Sequence, residues 1–404
     1  MKKILTTVGT SLLTHLREEE EIGKSEYDYF LDNKDDVDKV YYDRKGKDKI
    51  HRLKKVALNY LSKKDINNNE DLNNMSAELK SIKKIIEYKN IKQYEIIFIC
   101  SDTLAGKVVT DILMDYIIES KFNYTDIKTK LIKKLQVQNK ARFEKSGVHN
   151  LIEYINTMVN NTGSNNLILN ITGGYKSVVP YMTIMGYVNE IPVYYIFEET
   201  NELIELPLIP IKVDEELFKK YMCEIHQIMD KGVINKDLLE QILNKVDWND
   251  KQLIKTRLLQ NDLQEPDYYY PSPITRIFWE KFKSNYIFNI ELSDSAYEFY
   301  SRKEERARFI LEKVSDYDLR KKHYHYIKGT DMDCYKSGGE ELFRVFYKVY
   351  DKEDRNAIVK VAEIFDLAHK TNEYDNFCKA PRNSNEYQFN KCIIKKSNKS
   401  IERC

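Results

Sequence analysis

Apolar residues fall into two periodicities along this chain, and where one gives way to the other an architecture ends. In the first half, short apolar runs at Ile4–Val8, Ile96–Cys100, Thr129–Gln136, Leu167–Ile171 and Val193–Phe197 alternate with helix-period segments that begin near Ala105, Asn150 and Ser177. Strand and helix in regular alternation predict a doubly wound, Rossmann-like parallel sheet. Between the first two strands lies a charged, mostly helical insertion from about Leu16 to Asn90, whose acidic and basic clusters read as solvated surface. Leu203–Val213, with prolines at 207 and 210, reads as an edge hairpin or an exit from the sheet.

From Asp214 the pattern turns helical through Leu217, Tyr221, Ile225 and Ile228, then Leu238, Leu239, Ile242 and Leu243, with a further helix over Lys251–Leu259. The Tyr-rich segment Tyr268–Pro273 follows. This predicts a small helical or winged-helix-like unit, either a spacer or a DNA binder. Beyond it, Tyr286–Leu292 alternates as a strand and Ser293–Ser315 reads as one long charged helix. Asp333–Lys336, Leu342–Tyr350 and Ala357–Phe365 then form a three-strand meander, in which Phe343, Val345, Tyr347 and Val349 share one face. The expected fold class is multidomain α/β plus α+β, with domains at 1–213, 214–283 and 284–404.

Composition narrows the function classes. A chain of 404 residues is too long for one ordinary core, and no apolar run approaches the length of a membrane span. The start MKKILTTVG breaks at Gly9 and Thr10, too early for a signal peptide, so a cytoplasmic protein is expected. The six cysteines lack paired spacing and read as reduced thiols, with no metal site. A net charge of +1 gives no general attraction to nucleic acid, so any basic surface must be local.

The candidate chemistry starts at LILNITGGYK, Leu167–Lys176, where a strand runs into Thr172-Gly173-Gly174 ahead of a helix. Glycines admit backbone N–H groups close to an anion, and Thr172, Lys176 and Ser177 add donors. The strand ends at Gly9-Thr10-Ser11 and Ser101-Asp102-Thr103 have the same grammar, so three loops are expected to converge on one polar crevice at the carboxyl edge of the sheet. Helix capping is the plainer use of such Ser, Thr and Asp residues.

TTVGTSL, the SAEL of Ser76–Leu79 and NITGGYKS together resemble the CRISPR-associated Rossmann-fold sensor domain called CARF. The resemblance implies a homodimer that binds a cyclic oligoadenylate messenger, cyclic tetra-adenylate foremost, across its two-fold axis. It implies Gly9, Thr10, Ser11, Ser101, Asp102, Thr103, Thr172, Gly173, Gly174, Tyr175 and Lys176 as messenger contacts. No other cofactor is implied. The same site has the residues, Thr10, Ser11 and Lys176, to position the ring for slow self-cleavage by 2′-hydroxyl attack.

DCYK at Asp333–Lys336, FRVFYKV at Phe343–Val349 and IFDLAHKTNEY at Ile364–Tyr374 resemble the RelE family of ribosome-dependent mRNA interferase toxins. Metal-free RNA cleavage requires a base for the 2′-hydroxyl, a cationic clamp on the phosphorane and an acid for the leaving 5′-oxygen. Lys336, Arg344, His369, Lys370 and Tyr374 are the candidates. Arg344 suits phosphate recognition and cannot serve as a base. Clustered cations are expected to lower the pKa of Lys336 or Tyr374, and Tyr335 or Tyr374 to stack on a splayed base. Gly338 stands where the family often carries a second basic residue, and Glu340 and Glu341 add negative charge nearby.

Two other readings remain open. Arg320–His325 fits the R-x4-H spacing of HEPN ribonucleases, which would act on free single-stranded RNA from a helical motif. Alternatively, the chain is a non-enzymatic, messenger-responsive DNA-binding regulator.

Overall fold

The computed structural model describes residues 1–32, 41, 43–120, 122–136, 142–196, 202–208, 215–262, 265–337, 342–352, 357–367, 372–394 and 401–403. The chain is a mixed α/β and α+β protein. Its contacts divide it into two units, one comprising Met1–Val213, Gln260–Pro266 and Pro271–Ile277, the other Asp214–Leu259, Asp267–Tyr270 and Phe278–Cys404. Among the described residues no helix is long and apolar enough to cross a membrane.

The first unit runs β1 (Lys2–Thr7), α1 (Ser11–Glu18), α2 (Lys24–Asp32), α3 (Arg44–Ser62), α4 (Asn69–Asn73), α5 (Ala77–Tyr88), β2 (Tyr94–Ser101), α6 (Leu104–Glu119), β3 (Asp126–Ile132), α7 (Val148–Thr162), β4 (Leu167–Asn170), α8 (Val179–Val188), β5 (Val193–Ile196) and β6 (Leu203–Leu206). The sheet order is β3-β2-β1-β4-β5-β6, parallel as far as β5, with β6 antiparallel at the edge. Every residue of β2 and β4 is buried, as parallel strands covered on both faces must be. β3 begins three residues before the expected run, because its Lys128 and Lys130 lie on an exposed edge and blur the apolar signal.

The charged insertion does more than coat the surface. Leu53, Ala57 and Leu61 of α3 and Leu79, Ile82 and Ile85 of α5 are fully buried in one core with Val108 and Ile112 of α6. The charges hide amphipathic stripes at helical spacing, and each stripe closes over the sheet.

In chain order the next elements are α9 (Glu216–Lys220), α10 (Met222–Lys231), β7 (Ile234–Asn235), α11 (Lys236–Ile242), α12 (Trp248–Leu253), β8 (Leu259–Asn261), β9 (Tyr268–Pro271) and α13 (Pro273–Tyr286). From α10 to β9 this is the helix, strand, helix, helix, strand, strand succession of a winged helix, and β7 pairs antiparallel with β9. Phe218, Trp279 and Phe282 form its aromatic centre. Cys223 is disulfide-bonded, against the expectation of reduced thiols throughout. Spacing along a chain does not report which cysteines become neighbours in space.

The carboxyl-terminal part runs β10 (Ile290–Ser293), α14 (Asp294–Arg302), α15 (Glu304–Ser315), α16 (Tyr317–Lys322), β11 (Tyr324–His325), β12 (Asp333–Lys336), β13 (Phe343–Lys348), β14 (Val359–Asp366), α17 (Glu373–Lys379), β15 (Phe389–Ile394) and β16 (Ile401–Arg403). Its sheet order is β11-β12-β13-β14-β10-β15-β16, antiparallel except where β10 runs parallel to β14. One face carries Leu292, Val345 and Val361 against Ala307, Ile310 and Leu311 of α15. The other carries Cys334, Phe346, Ala362 and Phe365 beneath Tyr374 and Phe377 of α17. The single long helix expected over Ser293–Ser315 is two, broken where Lys303 leaves helical geometry at φ −137°, ψ 56°.

Candidate functional site

Strand order reverses at β1 and β4, the pair at the centre of the first sheet, and a crevice outside their carboxyl ends is where open α/β sheets take ligands. The loops that leave these two strands are laced together. The Thr7 hydroxyl donates to the Gly173 carbonyl at 2.5 Å. A Cβ on Gly9 would stand 2.6 Å from the Gly174 nitrogen, and Gly174 itself has φ +91°. These glycines therefore permit loop to pack on loop before they permit anything to approach a ligand.

Underneath both loops sits Glu78 of α5, fully buried. Its Oε1 accepts the Gly9 N–H at 2.8 Å, and the Ser11 hydroxyl donates to Oε2 at 3.4 Å while accepting the Ala77 N–H at 3.2 Å. A Cβ on Gly173 would lie 2.0 Å from Oε1, so the carboxyl fills the space that only glycine leaves. Burial pushes the Glu78 pKa above the usual carboxylate range, against the downward pull of hydrogen bonds from Gly9, Ser76 and Ser11. Beside it the buried Asn170 donates to Ser81 Oγ at 2.7 Å and to Thr6 Oγ1 at 3.3 Å. Glu78 and Asn170 are absent from the residues read out of the sequence as contacts. The signal was present in SAEL, a carboxylate set inside an apolar stripe.

The expected ligand residues divide in three. Thr10, Ser11, Tyr175 and Lys176 lie on the two laced loops, with Lys176 exposed and the others half-buried. Thr10 occupies the N-cap position of α1 without a side-chain cap, and no acidic residue stands in that helix's first turn, so its N–H groups keep their attraction for anions. Gly9, Gly173, Gly174 and Thr172 build the loops: the Thr172 hydroxyl donates to Asn170 Oδ1 at 2.9 Å and accepts the Ile196 N–H at 3.1 Å. Ser101, Asp102 and Thr103 have partners of their own within the chain, and Thr103 is the N-cap of α6. Thr103 accepts the Gly106 N–H at the start of α6, lies 3.0 Å from Ser101 Oγ, and Asp102 accepts the Lys134 N–H at 2.7 Å. For Thr103 the plainer use, helix capping, is present.

On the second sheet, Lys336 and Arg344 stand directly opposite one another on β12 and β13, on the face that carries Cys334 and Phe346. Tyr374 reaches the same face from α17, its ring 5.9 Å from the Arg344 guanidinium carbon and packed edge-on against Phe365. Arg344 Nη1 donates to the carbonyls of Phe343 at 2.8 Å and Ser337 at 3.3 Å, while its buried Nε has no hydrogen-bond partner among the described residues. Buried donors are nearly always paired, and among the described residues Arg308 Nε on α15 is the other guanidinium nitrogen left in this state. Lys336 is exposed.

Two expectations about this sheet are corrected. The Tyr374 pKa is pushed up to about 12, first by burial and then by Cys378, and the downward pull of Arg344 does not offset them. Tyr335 is 2% exposed, stacked between His323 and Phe343, and cannot meet a nucleobase, because helices cover that side of the sheet. His369, Lys370, Gly338, Glu340 and Glu341 lie outside the described residues. Among the described residues no group of three or more His, Cys, Asp or Glu is placed to hold a metal.

The R-x4-H pair does not form a helical motif. Arg320 is buried in α16, donating to the carbonyls of Val314 and Ser315 at the end of α15, and His325 lies on β11 opposite Cys334. In the winged-helix-like segment, α12 holds the recognition position but opens on Asp247 and Asp250, both bound by Lys220. Its Lys251 and the following Lys255 both pair with Glu240.

No curated protein matches the chain. The segment from the end of α4 through β6, which holds Glu78, the β2 loop and the TGGYK turn, covers less than half of the molecule. Over that segment, residues 73–209, the chain matches the family model of a CRISPR-associated protein (Cas_APE2256).

Proposed function

We propose that this protein is a ribonuclease gated by a cyclic oligoadenylate, with the β1–β4 crevice as sensor and the β12–β13 face as cleavage site. The observation that carries the nuclease reading is the juxtaposition of Arg344, Lys336 and Tyr374 on one face, with Arg344 Nε buried and unpartnered among the described residues. A bidentate guanidinium is the group suited to a phosphorane, whose fifth bond to phosphorus concentrates charge on its equatorial oxygens. In the proposed step the RNA 2′-oxygen bonds to phosphorus as the bond to the 5′-oxygen breaks, leaving a 2′,3′-cyclic phosphate and a 5′-hydroxyl. Tyr374, protonated at neutral pH as an ordinary tyrosine is and held more firmly so by burial, is suited to hand a proton to the departing 5′-oxygen. Lys336 supplies charge to the same phosphate. The base is drawn from the other candidates, Lys336, His369 and Lys370.

The CRISPR-associated match over residues 73–209 supports the sensor reading, as does a crevice floored by Glu78 and rimmed by Ser11, the first turn of α1 and Lys176. A ring of repeating nucleotides is self-matching, so a homodimer presenting two copies of the crevice about a two-fold axis is its natural receptor. Binding activates only by favouring one state of the nuclease over another. By its likeness to ribosome-dependent toxins, the nuclease takes mRNA presented by the ribosome. The HEPN alternative is disfavoured by the strand placement of His325, and the DNA-regulator alternative by the acidic, charge-paired start of α12.

The test is the chemistry of the ends. Cleaved RNA is expected to carry 2′,3′-cyclic phosphate in the presence of chelator, and only after addition of cyclic tetra-adenylate; Lys176→Ala abolishes that dependence. Ends bearing 5′-phosphate, or cleavage that survives Arg344→Ala, would overturn the assignment.

A further inference from the structure

A second cavity in the carboxyl-terminal sheet, about 270 Å³ in volume, plays no part in this scheme. It is lined by Tyr317, Arg320 and Lys321 of α16, Tyr324 of β11, the paired Asp333 and Tyr347, Val349 and Lys352, with the Arg320 guanidinium held by the carbonyls of Val314 and Ser315. Its size falls just below the range of about 300–1,000 Å³ usual for whole small-molecule ligands, and suits one flat ring system.

The lining is specific in its chemistry. The Asp333 side chain is only 10% exposed, and its Oδ1 accepts Lys352 Nζ at 2.8 Å. Lys352 also stands 5.7 Å from the centre of the Tyr324 ring, and Lys321 4.7 Å from that of Tyr317. The cavity thus sets a carboxylate and an ammonium side by side next to a half-exposed aromatic face. A carboxylate grips two adjacent N–H donors at once, and an ammonium satisfies a neighbouring oxygen. Among the RNA bases only guanine offers that edge, N1–H and N2–H beside the O6 acceptor. Adenine offers one donor beside a bare nitrogen, cytosine one donor beside two acceptors, and uracil one donor between two.

We propose that this cavity seats one guanine base of the RNA substrate, with Asp333 on N1–H and N2–H, Lys352 on O6 and Tyr324 stacked on the ring. Single-stranded RNA is read in this way, by a splayed base held on an aromatic ring and bonded along its Watson–Crick edge. Lys321 then lies at the mouth, where a phosphate passes. The cavity opens on the sheet face opposite Lys336 and Arg344, so the seated guanine belongs to a nucleotide distant from the bond that is cut. This deepens the ribonuclease reading and rests on it for the identity of the ligand.

The test is equilibrium dialysis of the full chain against GMP, AMP, CMP and UMP, with cleavage mapping run in parallel on the same preparation. GMP is expected to bind at least about tenfold more tightly than the others, the discrimination of one good bidentate base contact. Asp333→Asn should erase the preference, and Tyr324→Ala, a change at a half-exposed ring, should weaken GMP without unfolding the domain. Lys176→Ala should leave GMP binding unchanged, which separates this cavity from the first-unit crevice. Equal binding of all four nucleotides, or a GMP preference that survives both substitutions, overturns the proposal. GMP binding without RNA cleavage would instead remove the nuclease reading and leave the pocket standing, whereas cleavage without GMP binding would do the reverse.

Discussion

Replacing Glu78 tests the floor of the crevice in two steps. Glu78→Ala strips the Gly9 N–H of its acceptor and opens a void beneath Gly173. A buried donor left unpaired costs about 1–3 kcal/mol, and truncating a side chain of this size in a closed site costs about 2–5 kcal/mol. The two overlap, so a loss of about 3–5 kcal/mol is expected. At roughly 2–4 °C per kcal/mol for a unit of about 200 residues, the first unit's Tm should fall by about 10 °C. Glu78→Gln keeps an oxygen for Gly9 and the same shape, but cannot ionise. The Glu78 pKa is raised on folding above its ordinary value of 4.5, so the neutral carboxyl's stabilisation is fully present below 4.5 and is lost as pH rises through the folded pKa. Between those two values the wild type should lose up to about 1.4 kcal/mol per pH unit relative to Glu78→Gln. Thermal unfolding of the three proteins between pH 4 and pH 8 reads both effects. If the wild type gains on Glu78→Gln as pH rises, or if Glu78→Gln is as unstable as Glu78→Ala, the carboxyl is not the neutral brace described here.

Other substitutions separate the two sites. Gly173→Ala drives a Cβ to 2.0 Å from Glu78 Oε1, and should cost about 1–3 kcal/mol while abolishing retention of labelled cyclic tetra-adenylate on filters. Arg344→Ala should reduce cleavage by about 10²–10³-fold with messenger binding intact, and Arg344→Lys should not restore it, because an ammonium lacks the second donor in the plane. Tyr374→Phe leaves the packing on Phe365 and Phe377 in place, so its expected loss of about 10²-fold or more in rate should come without a change in Tm.

The sequence announced its sheets and hid their lids. Ile96–Cys100 and Leu167–Ile171 are apolar without interruption, as strands buried on both faces must be, and period two in Phe343–Val349 placed Arg344 on one face of β13. Which side of a sheet a helix covers is not written in the strand. Tyr335 therefore reads as an exposed stacking ring although α15 closes over its face. The break at Lys303 carries no Gly or Pro to announce it. Gly173 was legible as glycine-requiring but not for its reason, since the atom that requires it belongs to Glu78, 95 residues earlier in the chain. Asp333 and Lys352 likewise meet only once β12 and β13 have paired.

The central claim is that occupancy of the β1–β4 crevice switches on RNA cleavage at the β12–β13 face. The most direct measurement is mRNA cleavage in a reconstituted translation reaction, with and without cyclic tetra-adenylate, beside the same RNA free of ribosomes. Cuts are expected only on translated mRNA, only with the messenger, and not at all with Arg344→Ala. Cutting without messenger, cutting of naked RNA that depends on His325, or no cutting with any cyclic oligoadenylate would contradict it.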